Sequence, residues 1–416
     1  MTGPPTPDTP DTAGTLAGVR VLDLGWVWAG PLVSSALADL GADVVKVESG
    51  RRMDPYRMRG VERRADLGDL RREASPSFHK LNRSKRSITV DLSTEAGRAV
   101  FLDLAGTADL VVENFQAGTL DKLGLGWPVL AATNPRLVLL SMSAGGATGR
   151  WRNLKAYALV TSALAGYEAL VRYPGEPVVG SATFGVADPT VAAFGLLAAL
   201  AGLTRARRTG RGAHLDMSGV EAVLGVLGLA FLDAGNASEA EAGADIDTGT
   251  GTEPVVVELT LRCAGPDAWV AVALSGSEDW RKLAGTGNGT SADWPDWHRL
   301  ATDPAARREV AARLEKLWTT TMEPDTAAAM LTAIGLAAAP VLSVEQRNAR
   351  PPWADGMTTI EHPITGPEPA YPSPWGSLLP PRPAPLLGEH TDEVLTEWLD
   401  YPASRIDRLR QEGVLR

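Results

Sequence analysis

The sequence predicts an α/β fold on a buried parallel sheet, followed by a smaller α+β block. Two observations carry this. Residues 18–48 read strand, helix, strand, both strands being mostly apolar, and the same alternation returns downstream. Around residue 220 the pattern changes to a polar loop, a strand pair and further helices.

The elements follow in order. Met1 to Thr15 is mostly Pro, Thr, Asp and Gly and is expected to be a disordered tail. It has no basic segment leading into an apolar core, so it does not read as a secretory signal. Val19 to Leu24 is a strand, Pro31 suits a helix's first turn, Leu32 to Leu40 is helical, and Gly41 closes the helix in the left-handed region. Ala42 to Glu48 is the second strand, which completes a βαβ unit. Ala96–Leu104 is a helix, and Ala108–Glu113 and Leu137–Ser141 are strands. Residues 150–212 are mainly helical, with a small-residue helix over Val191 to Ala206. Gly235 to Thr252 reads as a polar loop. Val255–Cys263 and Trp269–Leu274 form a hairpin through Gly265-Pro266-Asp267, and helices cover Ala305–Leu317 and Thr326–Ile334. A Pro-rich connection, Pro351 to Pro385, leads to a helical tail over Thr391–Leu399 and Ser404–Glu412. The expected organisation is a tail over 1–15, a large domain over 16–220, a small domain over 221–335 and a return to the large domain over 336–416.

Length and charge narrow the function. A chain of 416 residues can bury a sizeable core. Its net charge of −10 argues against a general nucleic-acid binder but leaves room for a small anionic ligand in a local basic pocket. No run of 18 apolar residues is free of a charge or turn signal, so no membrane span is expected. A single cysteine, Cys263, excludes an internal disulfide and a multi-cysteine zinc site, and a cytoplasmic location follows as the expectation. Cys263 reads as a small core residue.

Open α/β sheets bind ligands beyond the carboxyl ends of their strands, which directs attention to the segments after Leu24, Glu48, Val112 and Met142. The turn Gly25-Trp26-Val27-Trp28-Ala29-Gly30-Pro31 lacks the Gly-x-Gly-x-x-Gly spacing, and its two tryptophans would block a pyrophosphate, so a dinucleotide site is not expected. Asp188 stands just before an apolar helix. An Asp there is either an N-cap or a carboxylate with a chemical task, since aspartate can form covalent acyl intermediates.

Five segments, in order, resemble family III coenzyme A transferases, the CaiB/BaiF family. They are Leu16-Ala17-Gly18-Val19-Arg20-Val21-Leu22-Asp23 with Ala29-Gly30-Pro31 and Leu40 to Glu48; Asn82 to Leu92; Val112-Glu113-Asn114-Phe115 with Leu120 to Gly124; Asp188 with Arg208 to Gly212 and Leu215 to Ser218; and Leu387 to Leu395. The resemblance implies a large doubly wound, Rossmann-like domain formed by both chain ends, a smaller α+β domain, and an interlocked homodimer. It implies that Asp188 is the nucleophile that moves coenzyme A from an acyl-CoA to a free carboxylic acid, through an aspartyl anhydride and an aspartyl-CoA thioester. Coenzyme A is then a substrate, with no permanently bound cofactor and no metal. By family position, Trp28, Ala29, Val90, Asp91, Leu92, Ser93, Asn114, Phe115, Gln116, Lys122, Leu154, Lys155, Ala156 and Tyr157 are expected around it, with Arg51 a further phosphate contact.

The chain departs from the oxalate-using member of that family. Trp28 replaces a glutamine, Lys122 and Ser49 replace arginines, and Ala158 replaces a glutamate. The glycine run over the active site is missing, with Gly243, Gly249 and Gly251 scattered through an acidic loop instead. These changes argue against oxalate or formate as substrates, and lysine gives up bidentate phosphate binding. The alternatives are an acyl-CoA racemase of the same fold and a rewired CoA-binding enzyme. The racemase needs a histidine near Lys155-Ala156-Tyr157, where this chain has none.

Overall fold

The computed structural model describes residues 14–171, 178–181, 185–228, 230, 256–286, 294–371 and 379–416. The expected tail up to residue 13, the loop Gly235 to Thr252 and part of the Pro-rich connection lie outside the described residues. The chain divides into two compact units: residues up to Tyr173 with Pro177–Leu227 and Gly356–Arg416, and essentially Gly228–Asp355.

The main sheet of the larger unit has six strands among the described residues: β1 (Arg20–Asp23), β2 (Asp43–Glu48), β3 (Arg86–Thr89), β4 (Leu110–Glu113), β5 (Val138–Ser143) and β6 (Ala213–Ser218). Their order is β3-β2-β1-β4-β5-β6 and every pairing is parallel. The direction of winding reverses between β1 and β4, which makes the crevice at their carboxyl ends the topological switch point. Both faces are covered. Helix α1 (Ala29–Asp39) and a helix over Ala187–Thr209 bury Val33, Leu37, Val191, Ala199 and Leu203 against one face. A helix over Glu95–Thr107 and the terminal helices Thr391–Leu399 and Ala403–Gln411 bury Phe101, Leu104, Val394, Trp398 and Ile406 against the other. Strands covered on both sides are mostly apolar, hence runs such as Val44-Val45 and Leu110-Val111-Val112 in the sequence.

The helix over Ala187–Thr209 starts earlier than the expected Val191, so Asp188 lies inside its first turn rather than at its N-cap, which is Val186. By length and composition alone this helix could span a membrane, at a mean hydropathy of 1.4. Its glycines let it settle on the sheet: a Cβ at Gly202 would come within 2.8 Å of Val138 and 2.9 Å of Leu215, and one at Gly195 within 3.0 Å of Met142 and Val33.

The second unit has its own antiparallel sheet, β7 (Val257–Arg262), β8 (Trp269–Leu274) and β9 (Ala337–Pro340), in the order β7-β8-β9. Helices over Pro304–Leu317 and Pro324–Ala333 pack on it through Val310, Leu314 and Leu331. Cys263 is a buried free thiol in this core. The return to the larger unit, expected at residue 336, comes at Gly356, because β9 pairs with β8 and keeps the intervening chain in the smaller unit.

Candidate active site

The switch point rests on buried charges. Asp23, at the end of β1, accepts hydrogen bonds from Gly25 N (2.8 Å), Ser34 Oγ (2.6 Å) and Lys85 Nζ (2.9 Å). Lys85 also donates to Pro31 O and Asn82 Oδ1, both at 2.9 Å. Lys46, on β2, donates to Gly25 O at 2.7 Å and faces Asp54 Oδ2 at 3.1 Å. Burial pushes the Asp23 carboxyl up, but Lys85 and Lys46 outweigh it and hold it below the usual range. Burial pulls Lys85 down to about 8 against the opposing pull of Asp23. Burial also works against Lys46, yet Asp54, Asp23 and Glu48 together raise it. The network clamps the turn after β1 from beneath. A side chain at Gly25 is excluded, since a Cβ there would meet Gly30 Cα at 2.9 Å.

Two more groups hold the turn from the side. Asn114, just past β4, accepts from Trp26 N at 2.7 Å and donates to Trp26 O at 2.9 Å. Asp54 Oδ1 accepts from Val27 N (3.0 Å) and Tyr56 N (2.9 Å), so one carboxylate ties this turn to the segment after β2. Val27 sits at φ +67°, a strained conformation for a β-branched residue. Arg57 anchors the same segment. Its guanidinium is fully buried, paired with Glu48 at 2.8 Å and Glu73 at 2.9 Å, and lies 3.8 Å over the Phe78 ring.

A cavity opens on each side of the turn. The first, of about 650 Å³, is lined by Val27 and Trp28, by Tyr56, Met58 and Arg59, by Tyr157 to Val160, and by Asp188. Gly185 brings these walls together: a Cβ there would lie 3.4 Å from the Trp28 ring and 3.5 Å from Ala158 Cβ. Asp188 is half-buried, and burial alone pushes its carboxyl up to about 6. No cation opposes that shift, unlike the carboxylates beneath the turn. The N-cap reading therefore fails, and an uncompensated carboxylate remains in a cavity, a pattern of functional sites.

The second cavity, of about 510 Å³, lies beyond the carboxyl ends of β1 to β4. Of the residues expected around coenzyme A, it brings together Arg51, Val90, Asp91, Leu92, Ser93, Phe115 and Gln116, along with Trp26, Arg52, Thr119 and Leu123. Trp26 and Phe115 meet edge to face at 5.3 Å, giving an aromatic wall to the cavity that the two arginines also line. Gln116 Nε2 donates to Asn153 O at 3.3 Å, which links this cavity to the loop that leads to Tyr157.

Trp28, Tyr157 and Asp188 line the first cavity as a set. Ala29 is buried in α1, and Asn114 supports the turn rather than lining a cavity. Lys122 and Lys155 are exposed, Leu154 packs against the core, and none of these nor Ala156 lines either cavity. Sequence reasoning missed Tyr56, Met58 and Arg59. The available signal was Asp54-Pro55, a helix-capping pair in which Asp54 receives the Tyr56 N–H and Pro55 opens a helical turn.

Over 417 residues the chain is 33% identical to the probable CoA-transferase Rv1866 of Mycobacterium tuberculosis, covering 96% of this chain but only half of that protein. It is 30% identical to the succinyl-CoA--L-malate CoA-transferase alpha subunit of Chloroflexus aurantiacus, over 99% of this chain and 96% of the other. Its structure resembles that of a CaiB/BaiF family protein from Brucella suis, with a TM-score of 0.76 and 29% identity over 92% of this chain and 99% of that one. Residues 16–391 match the profile of CoA-transferase family III, and the chain belongs to that family.

Proposed function

We propose that this protein transfers coenzyme A from an acyl-CoA to a free carboxylic acid, with Asp188 as nucleophile. The observation that carries the reading is the position of Asp188: an unpaired, half-buried carboxylate in one cavity, across a rigid turn from a second cavity with two arginines and an aromatic wall. The second cavity suits the adenine and phosphates of coenzyme A. The first suits the acyl group.

Asp188 attacks the thioester carbonyl, the C–S bond breaks, and a mixed anhydride forms with loss of the CoA thiolate. The thiolate then attacks the aspartyl carbonyl, releasing the donor acid and leaving an aspartyl-CoA thioester. An acceptor carboxylate attacks that thioester and expels the thiolate, which attacks the acyl carbonyl of the new anhydride. Acyl-CoA leaves and the Asp188 carboxylate returns. Covalent exchange of this kind replaces one hard step with several easier ones. Each addition places charge on a carbonyl oxygen. The first turn of α1, which begins directly after Trp28, offers backbone N–H groups that no helix pairs internally. Trp28 and Tyr157 would keep water from the anhydride.

No histidine lines the Asp188 cavity, which counts against the racemase alternative. The relatives' names supply acyl-CoA and carboxylate as substrate classes but fix neither acid for this chain. An interlocked homodimer is part of the proposal, supported by apolar side chains left exposed along one region, among them Leu159, Val160, Leu164 and Leu197. A cytoplasmic setting belongs to the same reading. The test is exchange of isotope-labelled free acid into its CoA thioester: the wild type should catalyse it and Asp188→Ala should not, whereas exchange that survives in the variant overturns the assignment.

A further inference from the structure

Outside both cavities, three side chains of the larger unit meet at a place the transfer reaction does not use. His79 lies on the helix Pro76–Asn82. His362 and Glu368 lie on the paired antiparallel strands Thr358–His362 and Gly366–Ala370, just after the chain returns to the larger unit. None of the three lines the Asp188 cavity or the cavity with the two arginines. One donor atom from each lies within 4.8 Å of the other two. Both imidazoles are buried, and they stack with their centroids 3.9 Å apart.

The hydrogen bonds around His79 call for a cation. Its Nε2 stands 3.0 Å from Glu73 O, and its Nδ1 stands 2.8 and 3.0 Å from the two Glu368 carboxylate oxygens. Both neighbours only accept, while a neutral imidazole has a single N–H. With that proton on Nε2, the Nδ1 lone pair faces a carboxylate, and either a second proton or a metal ion must join them. His362 favours the metal. Its Nδ1 accepts from the Ile364 and Thr365 N–H groups at 3.2 and 3.4 Å, so it presents a lone pair. These are long bonds from a turn with solvent access, where water can take over the two N–H groups. The outer partners fit as well. Metal-bound histidines commonly donate their far N–H to a carbonyl, as His79 does to Glu73 O, and ligating carboxylates are themselves hydrogen-bonded, as Glu368 is by Thr365 Oγ1.

We propose that His79, His362 and Glu368 bind one divalent transition-metal ion, zinc by the chemistry of the donors, and so staple the Thr358–Ala370 hairpin to the helix that carries His79. Two imidazoles and a carboxylate, completed by water, make a zinc donor set. The Glu368 side chain is 25% exposed and gives the ion a way in. The site stands independently of the transferase reading, and the family resemblance does not include it.

The experiment titrates zinc chloride into the full chain, freed of metal with EDTA and dialysed, by calorimetry, with thermal melts before and after. The wild type should take up one zinc per chain and melt at a higher temperature with it. Glu368→Gln and His362→Gln should each bind about tenfold more weakly or worse, and neither should be stabilised at the same zinc concentration. Should His362→Gln fail to fold, Glu368→Gln decides alone, since its amide oxygen still accepts from Thr365. No zinc uptake by the wild type overturns the proposal and leaves a second proton between His79 and Glu368. Zinc held equally by the variants, or zinc that leaves the wild-type melting temperature unchanged, overturns it too.

Discussion

Asn114 and Trp26 are joined by two hydrogen bonds, the Trp26 N–H to Asn114 Oδ1 at 2.7 Å and the Asn114 amide to Trp26 O at 2.9 Å. The side chain copies a strand neighbour's backbone exactly where the sheet reverses direction and β1 can no longer be extended by pairing. It keeps the wall between the two cavities in one conformation. The amide offers the donor and the acceptor on two separate atoms, as a backbone neighbour would.

Replacing Asn114 by Asp keeps the acceptor and sets a carboxylate against a carbonyl. We expect a stability loss of about 1–3 kcal/mol, the cost of leaving a part-buried polar group unpaired. Turnover of CoA thioesters should fall as well, because the turn loosens. Urea denaturation and steady-state assays measure the two effects. A variant as stable and active as the wild type would show that the turn stands without this contact.

Asp54 and Val27 give a second prediction. Asp54→Ala leaves Lys46 buried without its facing carboxylate and frees the Val27 and Tyr56 N–H groups. The loss should be about 3–5 kcal/mol, as for a broken buried ion pair. Val27→Gly should behave differently. It removes a half-buried side chain but relieves the φ of +67°, so its stability should fall within about 1 kcal/mol of the wild type. A larger loss would mean that the positive φ carries no strain.

The Asp188 carboxyl, pushed up to about 6 by burial, sets a pH dependence. Acylation requires the carboxylate, so its rate should rise tenfold per unit up to about pH 6 and level off above. The stability sign is opposite. The folded state holds this proton from about pH 4, the ordinary carboxylate range, up to about 6, so this group's contribution declines as pH rises through that window. Asp188→Asn should flatten that part of the stability profile. Pre-steady-state CoA release and thermal melts across pH 4–8 measure both.

Arg51 and Arg52 line the second cavity, are exposed and both act on the nearby Asp91 carboxyl. Their joint replacement by Ala should raise KM for CoA thioesters about tenfold to hundredfold with little change in kcat, the scale of a charge-assisted hydrogen bond. The effect should shrink as salt is added. A fall in kcat at constant KM would place the phosphates elsewhere.

Much of the larger unit was legible because parallel strands buried on both faces leave unbroken apolar runs, as in Val44-Val45 and Leu110-Val111-Val112. Val90 and Phe115, expected by family position, line the second cavity near the strand ends. The segment carrying Tyr56, Met58 and Arg59 was not expected. It has no periodicity; Asp54-Pro55 marks a helical turn there, but its place beside the Asp188 cavity rests on the burial of Arg57 between Glu48 and Glu73, a tertiary event. Lys122 and Lys155, expected from family position, have exposed side chains and stand outside the linings of both cavities. The N-cap reading of Asp188 failed because the helix begins at Ala187, earlier than its apolar pattern shows. Nor could four small residues, Ala337–Pro340, announce β8 as their partner.

The central claim is a covalent bond between Asp188 and the substrate, and mass spectrometry of the protein after rapid mixing with an acyl-CoA and quenching in hydroxylamine tests it most directly. The account predicts a hydroxamate on the peptide containing Asp188, absent without acyl-CoA and absent in Asp188→Ala. CoA transfer that proceeds at full rate with that peptide unmodified, or with the modification on another residue, would contradict it.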